Sequence, residues 1–270
     1  MKRLLVLGSD AAYFEYTLIA ICSFLQHNEN WDVLVMDVGL TAAQVSTLKE
    51  LAAVEPFPRE EFRGSGFYIP TAKARCQALS QFPQDGQLML YIDSDTVTLG
   101  SVEPLIQNFL ASGCPIGIAA EDDPRFVTFP MNTMWKNRII HSTFKNRDRW
   151  SNLPVLNTGI MLAAGKEAAK TGQLALSLYE PLKQEFLCGE QTIIGSIIYE
   201  EALEFFPIPT RYHCFLMEKY LRKSGKPYVD PVYLDQDQIV IRHFCFSNKV
   251  FLNTLKPALM NYFCPQSLKT

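Results

Sequence analysis

The sequence predicts an α/β fold with a mostly parallel central sheet flanked by helices. Two observations point to it. Apolar runs of strand length, at residues 4–7, 31–37, 87–92 and 116–120, are separated by stretches of helical character. Those runs are also nearly continuous in apolar residues, as strands covered on both faces are.

Residues 4–7 read as a buried strand that Gly8, Ser9 and Asp10 end. Residues 13–26 read as a helix, and the polar break His27-Asn28-Glu29-Asn30 separates it from a second strand at 31–37. Thr41 then opens a helix. Its hydroxyl is placed to accept the amide of Gln44, whose side chain reaches back, a capping box. Residues 70–82 form the next predicted helix, and Gly86 breaks the chain before the strand 87–92. A short helix at 102–110 leads to the strand 116–120, and strand character returns at 154–163. Residues 166–187 read as a helix interrupted near Gly172, and 191–199 as a further helix, with late strands at 204–207 and 239–241. Residues 121–150 carry many charged and aromatic residues with little periodicity. They read as a lid or acceptor-side insertion in a single domain, 1–270, without repeats or low-complexity linkers.

With 48% hydrophobic and 20% charged residues in 270, the chain can bury a sizeable core. A net charge of -3 gives no global electrostatic reason to bind nucleic acid. Seven scattered cysteines, odd in number and without a CxxC pair, read as reduced thiols of a cytoplasmic protein rather than a disulfide framework or a zinc site. Residues 4–7 are too short for the core of a secretory leader, and no run reaches the roughly 20 apolar residues that span a bilayer. The tail 251–270 mixes apolar residues with a few lysines, which allows a peripheral membrane contact.

The most informative stretch is Leu90-Tyr91-Ile92-Asp93-Ser94-Asp95-Thr96. An apolar strand runs into two aspartates one residue apart, and on extended backbone both carboxylates project to the same face. Close carboxylates repel unless a cation or protons neutralise them, and hard divalent ions favour carboxylate oxygen. Strand ends in open α/β sheets are where ligands bind. Asp-Ser-Asp-Thr is also ordinary turn chemistry.

This stretch, followed by Leu99-Gly100-Ser101-Val102-Glu103-Pro104-Leu105, resembles the DxD motif of GT-A (Rossmann-like) nucleotide-diphospho-sugar transferases. It is most similar to glycosyltransferase family 8, the retaining glycogenin and lipopolysaccharide galactosyltransferase group. The resemblance implies that Asp93 and Asp95 bind Mn²⁺ (or Mg²⁺), which bridges the phosphates of a nucleotide-diphosphate sugar, a UDP-sugar in that family. Ser94, between them, is counted with the donor-binding residues.

Four further segments are similar to the family in chain order, over most of residues 1–250. Gly8, Ser9 and Asp10 stand where the family meets base and ribose, and equally suit a plain strand-to-helix turn. Asn157-Thr158-Gly159-Ile160 is similar to the strand that contributes to the sugar pocket, with Asn157 placed to bond sugar hydroxyls. Glu190 and Gln191 stand where the family has an acidic-Gln pair, usually Asp-Gln, facing the reacting sugar carbon, and equally suit a helix N-terminus. His243 and Lys249 fit the histidine and lysine of a motif H-x-x-G-x-x-K-P-W, as third metal ligand and phosphate contact. Phe246 stands where glycine is expected, and Val250 and Phe251 replace Pro-Trp. Arg75, and less so Lys73, lie on the helix before the DxD strand, where a basic residue faces the donor or is simply solvated. Trp135, Phe144 and Trp150 either stack on sugar faces or pack the insertion.

The resemblance implies a glycosyltransferase that moves a sugar to a saccharide, lipid-linked or protein acceptor with retention. Inversion would need a carboxylate base, for which Glu190 or Asp122 is placed. A sugar-nucleotide pyrophosphorylase would carry a basic Gly-rich loop, which the stretch at residues 8–12 lacks. A non-catalytic sugar- or partner-binding homologue is the remaining alternative.

Overall fold

The computed structural model describes residues 1–60, 70–120, 130–134, 143–185, 189–216, 222–223, 232–234, 236–244 and 249–268. The first half runs β1 (Lys2–Ser9), α1 (Phe14–His27), β2 (Asp32–Asp37), α2 (Ala42–Leu48), β3 (Ala53–Pro56), α3 (Ala72–Gln81), β4 (Gln87–Ile92), β5 (Thr96–Thr98), α4 (Glu103–Ser112) and β6 (Ile116–Ala120). The second half runs α5 (Arg147–Trp150), β7 (Leu156–Ala164), α6 (Gly165–Leu182), α7 (Gly189–Glu200), β8 (Phe205–Pro207), β9 (Arg222–Lys223), β10 (Val232–Leu234), β11 (Asp237–Gln238), β12 (Ile241–His243) and α8 (Lys249–Phe263). The fold is α/β, with a mostly parallel seven-stranded sheet and flanking helices. The chain divides into two compact units. One comprises residues 4–56, 91–111 and 209–270, the other 1–3, 57–90 and 112–208.

In the first unit β1, β2 and β3 are parallel neighbours, with Leu5 opposite Val33 and Leu34 opposite Ala53. Leu5, Val6 and Leu7 are fully buried, which is why this strand has no polar alternation. The predicted capping box is present: the Thr41 hydroxyl accepts from Gln44 N, and Gln44 Oε1 accepts from Thr41 N. Buried Asn28 closes α1 onto the start of α4. Its Oδ1 accepts Val102 N at 2.8 Å and its Nδ2 donates to the Phe24 carbonyl at 3.0 Å.

Three elements of this unit differ from the sequence reading. Residues 96–98, given no element from sequence, form β5, whose partner is β12 in antiparallel register, Thr96 opposite His243. The late strand is therefore 241–243, not 239–241; Val240 is spent pairing its amide and carbonyl with Arg211 and Leu99. Residues 249–263, given no structure from sequence, form α8, which packs on α1. Leu252, Leu259 and Phe263, spaced near the helical period, supply its buried face.

In the second unit β4, β7, β6 and β8 are neighbours; β6 and β8 are parallel, β6 and β7 antiparallel. The register shifts after Ile118: it faces Met161, whereas Ala119 faces Asn157, so β7 bulges at the Asn157-Thr158-Gly159 motif. Helix α6 is continuous through Gly172, contrary to the predicted interruption. A Cβ at Gly172 would lie 2.3 Å from Ser80 N and 2.5 Å from the Leu79 carbonyl carbon. The glycine is there because α6 and α3 touch backbone to backbone, not because the helix breaks.

Much of 121–150 lies outside the described residues, Trp135 and Asp122 included. The described aromatics of that segment pack inward and are not sugar platforms. Trp150 lies edge-on to Phe144 at 5.8 Å and stacks on Tyr199 at 6.2 Å, and its Nε1 donates to Glu200 at 2.9 Å.

Candidate active site

In the first unit the DxD residues are not extended, as the spacing argument assumed. β4 ends at Ile92, and Ser94-Asp95 turn into β5. Two hydroxyls shape this turn. Thr96 Oγ1 donates to the Asp93 carbonyl at 2.8 Å, and Ser94 Oγ to the Gly8 carbonyl at 2.5 Å. Antiparallel pairing of β5 with β12 then delivers His243, and Phe244 N donates to the Asp95 carbonyl at 2.9 Å. Ligand atoms of Asp93, Asp95 and His243 all come within 4.8 Å of one another. His243 Nε2 lies 3.2 Å from Asp95 Oδ1 and 3.5 Å from Asp93 Oδ2.

These side chains are largely withdrawn from water, so the two carboxylates repel each other strongly unless positive charge lies between them. Two carboxylates and one imidazole nitrogen form a donor set that fits a divalent cation, and the imidazole suits Mn²⁺ better than Mg²⁺. The ligands are held from behind. Tyr91 Oη donates to Asp93 Oδ1 at 2.8 Å, and His243 Nδ1 lies 3.0 Å from His213 Nε2. Burial, and then His243, push the His213 imidazolium pKa well below its ordinary value, against a smaller opposing pull from Asp95. Tyr91 and His213 escaped the sequence reading. Tyr91 has a local signal, lying two residues before Asp93; His213, 30 positions from His243, has none.

Three other predicted residues of this unit, Gly8, Ser9 and Asp10, lie near the end of β1. Gly8 spends its carbonyl on Ser94, and that same bond uses the Ser94 hydroxyl inward. Ser9 is fully buried, accepting from the Thr17 hydroxyl at 2.7 Å. Asp10 Oδ1 accepts Ala12 N at 3.0 Å and Tyr13 N at 3.1 Å, closing the turn into α1. Lys249 opens α8; its side chain and Phe246 lie outside the described residues.

In the second unit Arg75, from α3, meets Glu190, from α7. Arg75 Nη1 donates to Glu190 Oε1 at 2.7 Å and to Thr158 Oγ1 at 3.1 Å, while the Thr158 hydroxyl donates to Glu190 Oε1 at 3.3 Å. Glu190 is fully buried and Gln191 nearly so. Asn157 Oδ1 accepts Gly159 N at 2.7 Å, the partner a buried asparagine requires. Lys73 turns away to Glu180 at 2.6 Å. The buried Glu190 carboxylate is felt by its neighbours: it adds to burial in pushing the Cys76 thiol and the Tyr179 phenol well up.

Residues 4–253 match the sequence profile of Glycosyl transferase family 8. Galactosyltransferase LgtC, solved in complex with donor and acceptor sugar analogs, is similar in structure, with a TM-score of 0.65 over 98% of both chains at 15% identity. Glycosyltransferase GlyE of Streptococcus pneumoniae TIGR4 is similar with a TM-score of 0.58 over 100% of this chain and 64% of its own, at 16% identity. The bifunctional glycosyltransferase WbbM aligns over 78% of this chain and 39% of its own, with a TM-score of 0.56 at 16% identity. No curated protein matches significantly. Such distant structures establish the GT-A fold, and the profile, which spans nearly the whole chain, establishes the family: this chain is a glycosyltransferase of family 8.

Proposed function

We propose that the chain acts as one catalytic domain that transfers a hexosyl unit from a nucleotide-diphosphate sugar, a UDP-sugar by preference, to an acceptor hydroxyl with retention. The observation that carries this reading is the convergence of Asp93, Asp95 and His243. They would hold Mn²⁺, or less well Mg²⁺, and the bound cation supplies Lewis-acid neutralisation of the diphosphate leaving group.

The chain's own residues do the rest. Ser94 and Thr96 fix the turn, so both carboxylates are pre-positioned before donor arrives. In this reading Gly8 and the turn built by Ser9 and Asp10 receive base and ribose through backbone groups, because both side chains are already engaged. Lys249, at the start of α8, contacts the diphosphate. Asn157 and Arg75 meet the sugar, and Glu190 and Gln191 orient it and stabilise positive charge at the anomeric carbon. The ion pair with Arg75 fixes the Glu190 carboxyl in a buried setting, which suits an electrostatic role better than that of a mobile base.

The acceptor is a saccharide, lipid-linked or protein hydroxyl, met in the cytoplasm. No helix among the described residues is long and apolar enough to cross a membrane. Exposed Val250, Phe251 and Tyr262 on α8 support peripheral contact with a membrane surface.

Calorimetric titration with UDP and Mn²⁺, on wild type and Asp95→Ala, tests the donor site. Binding that needs metal and vanishes in the variant supports the reading, and a screen of UDP-sugars with NMR of the product anomer then tests retention. A wild type that binds no UDP with either cation refutes the UDP assignment.

A further inference from the structure

Histidine has two ring nitrogens, and a metal-bound histidine depends on what holds the second one. His243 Nε2 faces Asp95 and Asp93, and its Nδ1 lies 3.0 Å from Nε2 of His213. The partner is thus another imidazole, where a carboxylate or backbone carbonyl is the usual choice.

The backbone places this second ring. His213 N donates to the Thr210 carbonyl at 3.0 Å; Cys214 N donates to the Ile241 carbonyl at 3.1 Å and His243 N to the Cys214 carbonyl at 2.9 Å. The segment 213–214 is therefore stitched alongside β12, one residue from the ring it serves. Phe215 closes on His213 edge-on, with ring centroids 5.3 Å apart. His213 is 2% exposed, so water does not compete for the contact.

We infer that His213 is a positioning residue of the metal centre, acting through His243. The inference rests on the metal reading above. If the His243 Nε2 lone pair is directed at a cation, the ring's hydrogen is on Nδ1. Two N–H groups cannot point at each other across 3.0 Å, so His213 Nε2 must carry a lone pair and accept. His213 then carries its hydrogen on Nδ1. One hydrogen bond selects both tautomers and sets the angle of the His243 ring. Tyr91 does the corresponding work for Asp93: it donates to Oδ1, while Oδ2 is the oxygen that faces His243.

The test follows free Mn²⁺ by EPR during titration of wild type, His213→Phe and His213→Gln. His213→Phe removes the acceptor and should weaken Mn²⁺ binding on the order of 10–100-fold. His213→Gln keeps an acceptor near the same place and should restore most of that loss. Long-range ¹H–¹⁵N NMR of imidazoles in the Mg²⁺-loaded wild type provides the readout that needs no variant: both rings should carry hydrogen on Nδ1. Equal Mn²⁺ affinity in wild type and His213→Phe would overturn the inference, as would a hydrogen on His213 Nε2. A wild type that binds neither cation refutes the metal reading itself, which is a different result.

Discussion

Gly172→Ala sets two physical effects against each other, and the structure decides the sign. Position 172 lies inside α6, where alanine is favoured over glycine by about 1 kcal/mol on propensity. The new Cβ would sit 2.3 Å from Ser80 N, 2.5 Å from the Leu79 carbonyl carbon and 2.7 Å from Ser80 Cα. Ordinary carbon contacts are about 3.5–4.0 Å, so each of these is short by roughly 1 Å. All three atoms are backbone, in a helix that cannot rotate away as a side-chain tip can. Overpacking costs about 1–3 kcal/mol, and this case belongs at the upper end. The net effect is a loss of about 2 kcal/mol, and a melting temperature lower by about 4–8 °C for a chain of this size. Differential scanning calorimetry reads it directly. Because α3 also carries Arg75, pushing α3 from α6 should weaken donor turnover as well. An unchanged or raised melting temperature would refute the tight α3–α6 contact and restore the propensity argument.

Asp95→Asn keeps the shape of the side chain but removes half the anionic charge of the DxD pair; UDP release from donor should fall about 100-fold or more, with Mn²⁺-dependent binding lost by calorimetry. Arg75→Met strands the Glu190 carboxylate, which is 0% exposed, and should cost about 3–5 kcal/mol in denaturant unfolding. Arg75→Met combined with Glu190→Gln should recover most of this; equal losses in single and double variants would show that the pair does not couple. The Cys76 thiol has its pKa pushed well above the ordinary 9.0, by burial and then by Glu190. The folded chain keeps a proton that the unfolded chain releases above that pH. The stability it contributes is full below about pH 9 and is lost as pH rises beyond it, by up to about 1.4 kcal/mol per unit. Tyr179, raised by burial and Glu190, adds a second loss above its ordinary 10.0. Unfolding midpoints at about pH 8 and about pH 10 should diverge less in Cys76→Ala than in wild type.

The elements that were legible have local causes. β1 and β2 read correctly because continuous burial on both faces requires continuous apolar sequence. The start of α2 read correctly because Thr41 and Gln44 satisfy each other within three residues. β5 was not legible: three residues beside a turn carry too little pattern, although Thr-Val-Thr is a β-branched run. Gly172 was misread because its reason lies across the α3–α6 interface, some 90 positions away in sequence.

The site divides in the same way. By itself the sequence determined the family and the candidate groups: two aspartates after a buried strand, a histidine and lysine near the C-terminus, and an acidic-Gln pair opening a helix, in an order shared by that family. Only the tertiary structure decided which of these groups meet and what each is already bonded to. The turn at Ser94-Asp95 and the pairing of β5 with β12 bring His243 onto the carboxylates. Ser9 is drawn to Thr17, Arg75 to Glu190 and His243 to His213. The physical reason is range: strand and cap signals act over a few residues, whereas a buried polar group takes whichever partner the fold brings within about 3 Å, at any separation along the chain.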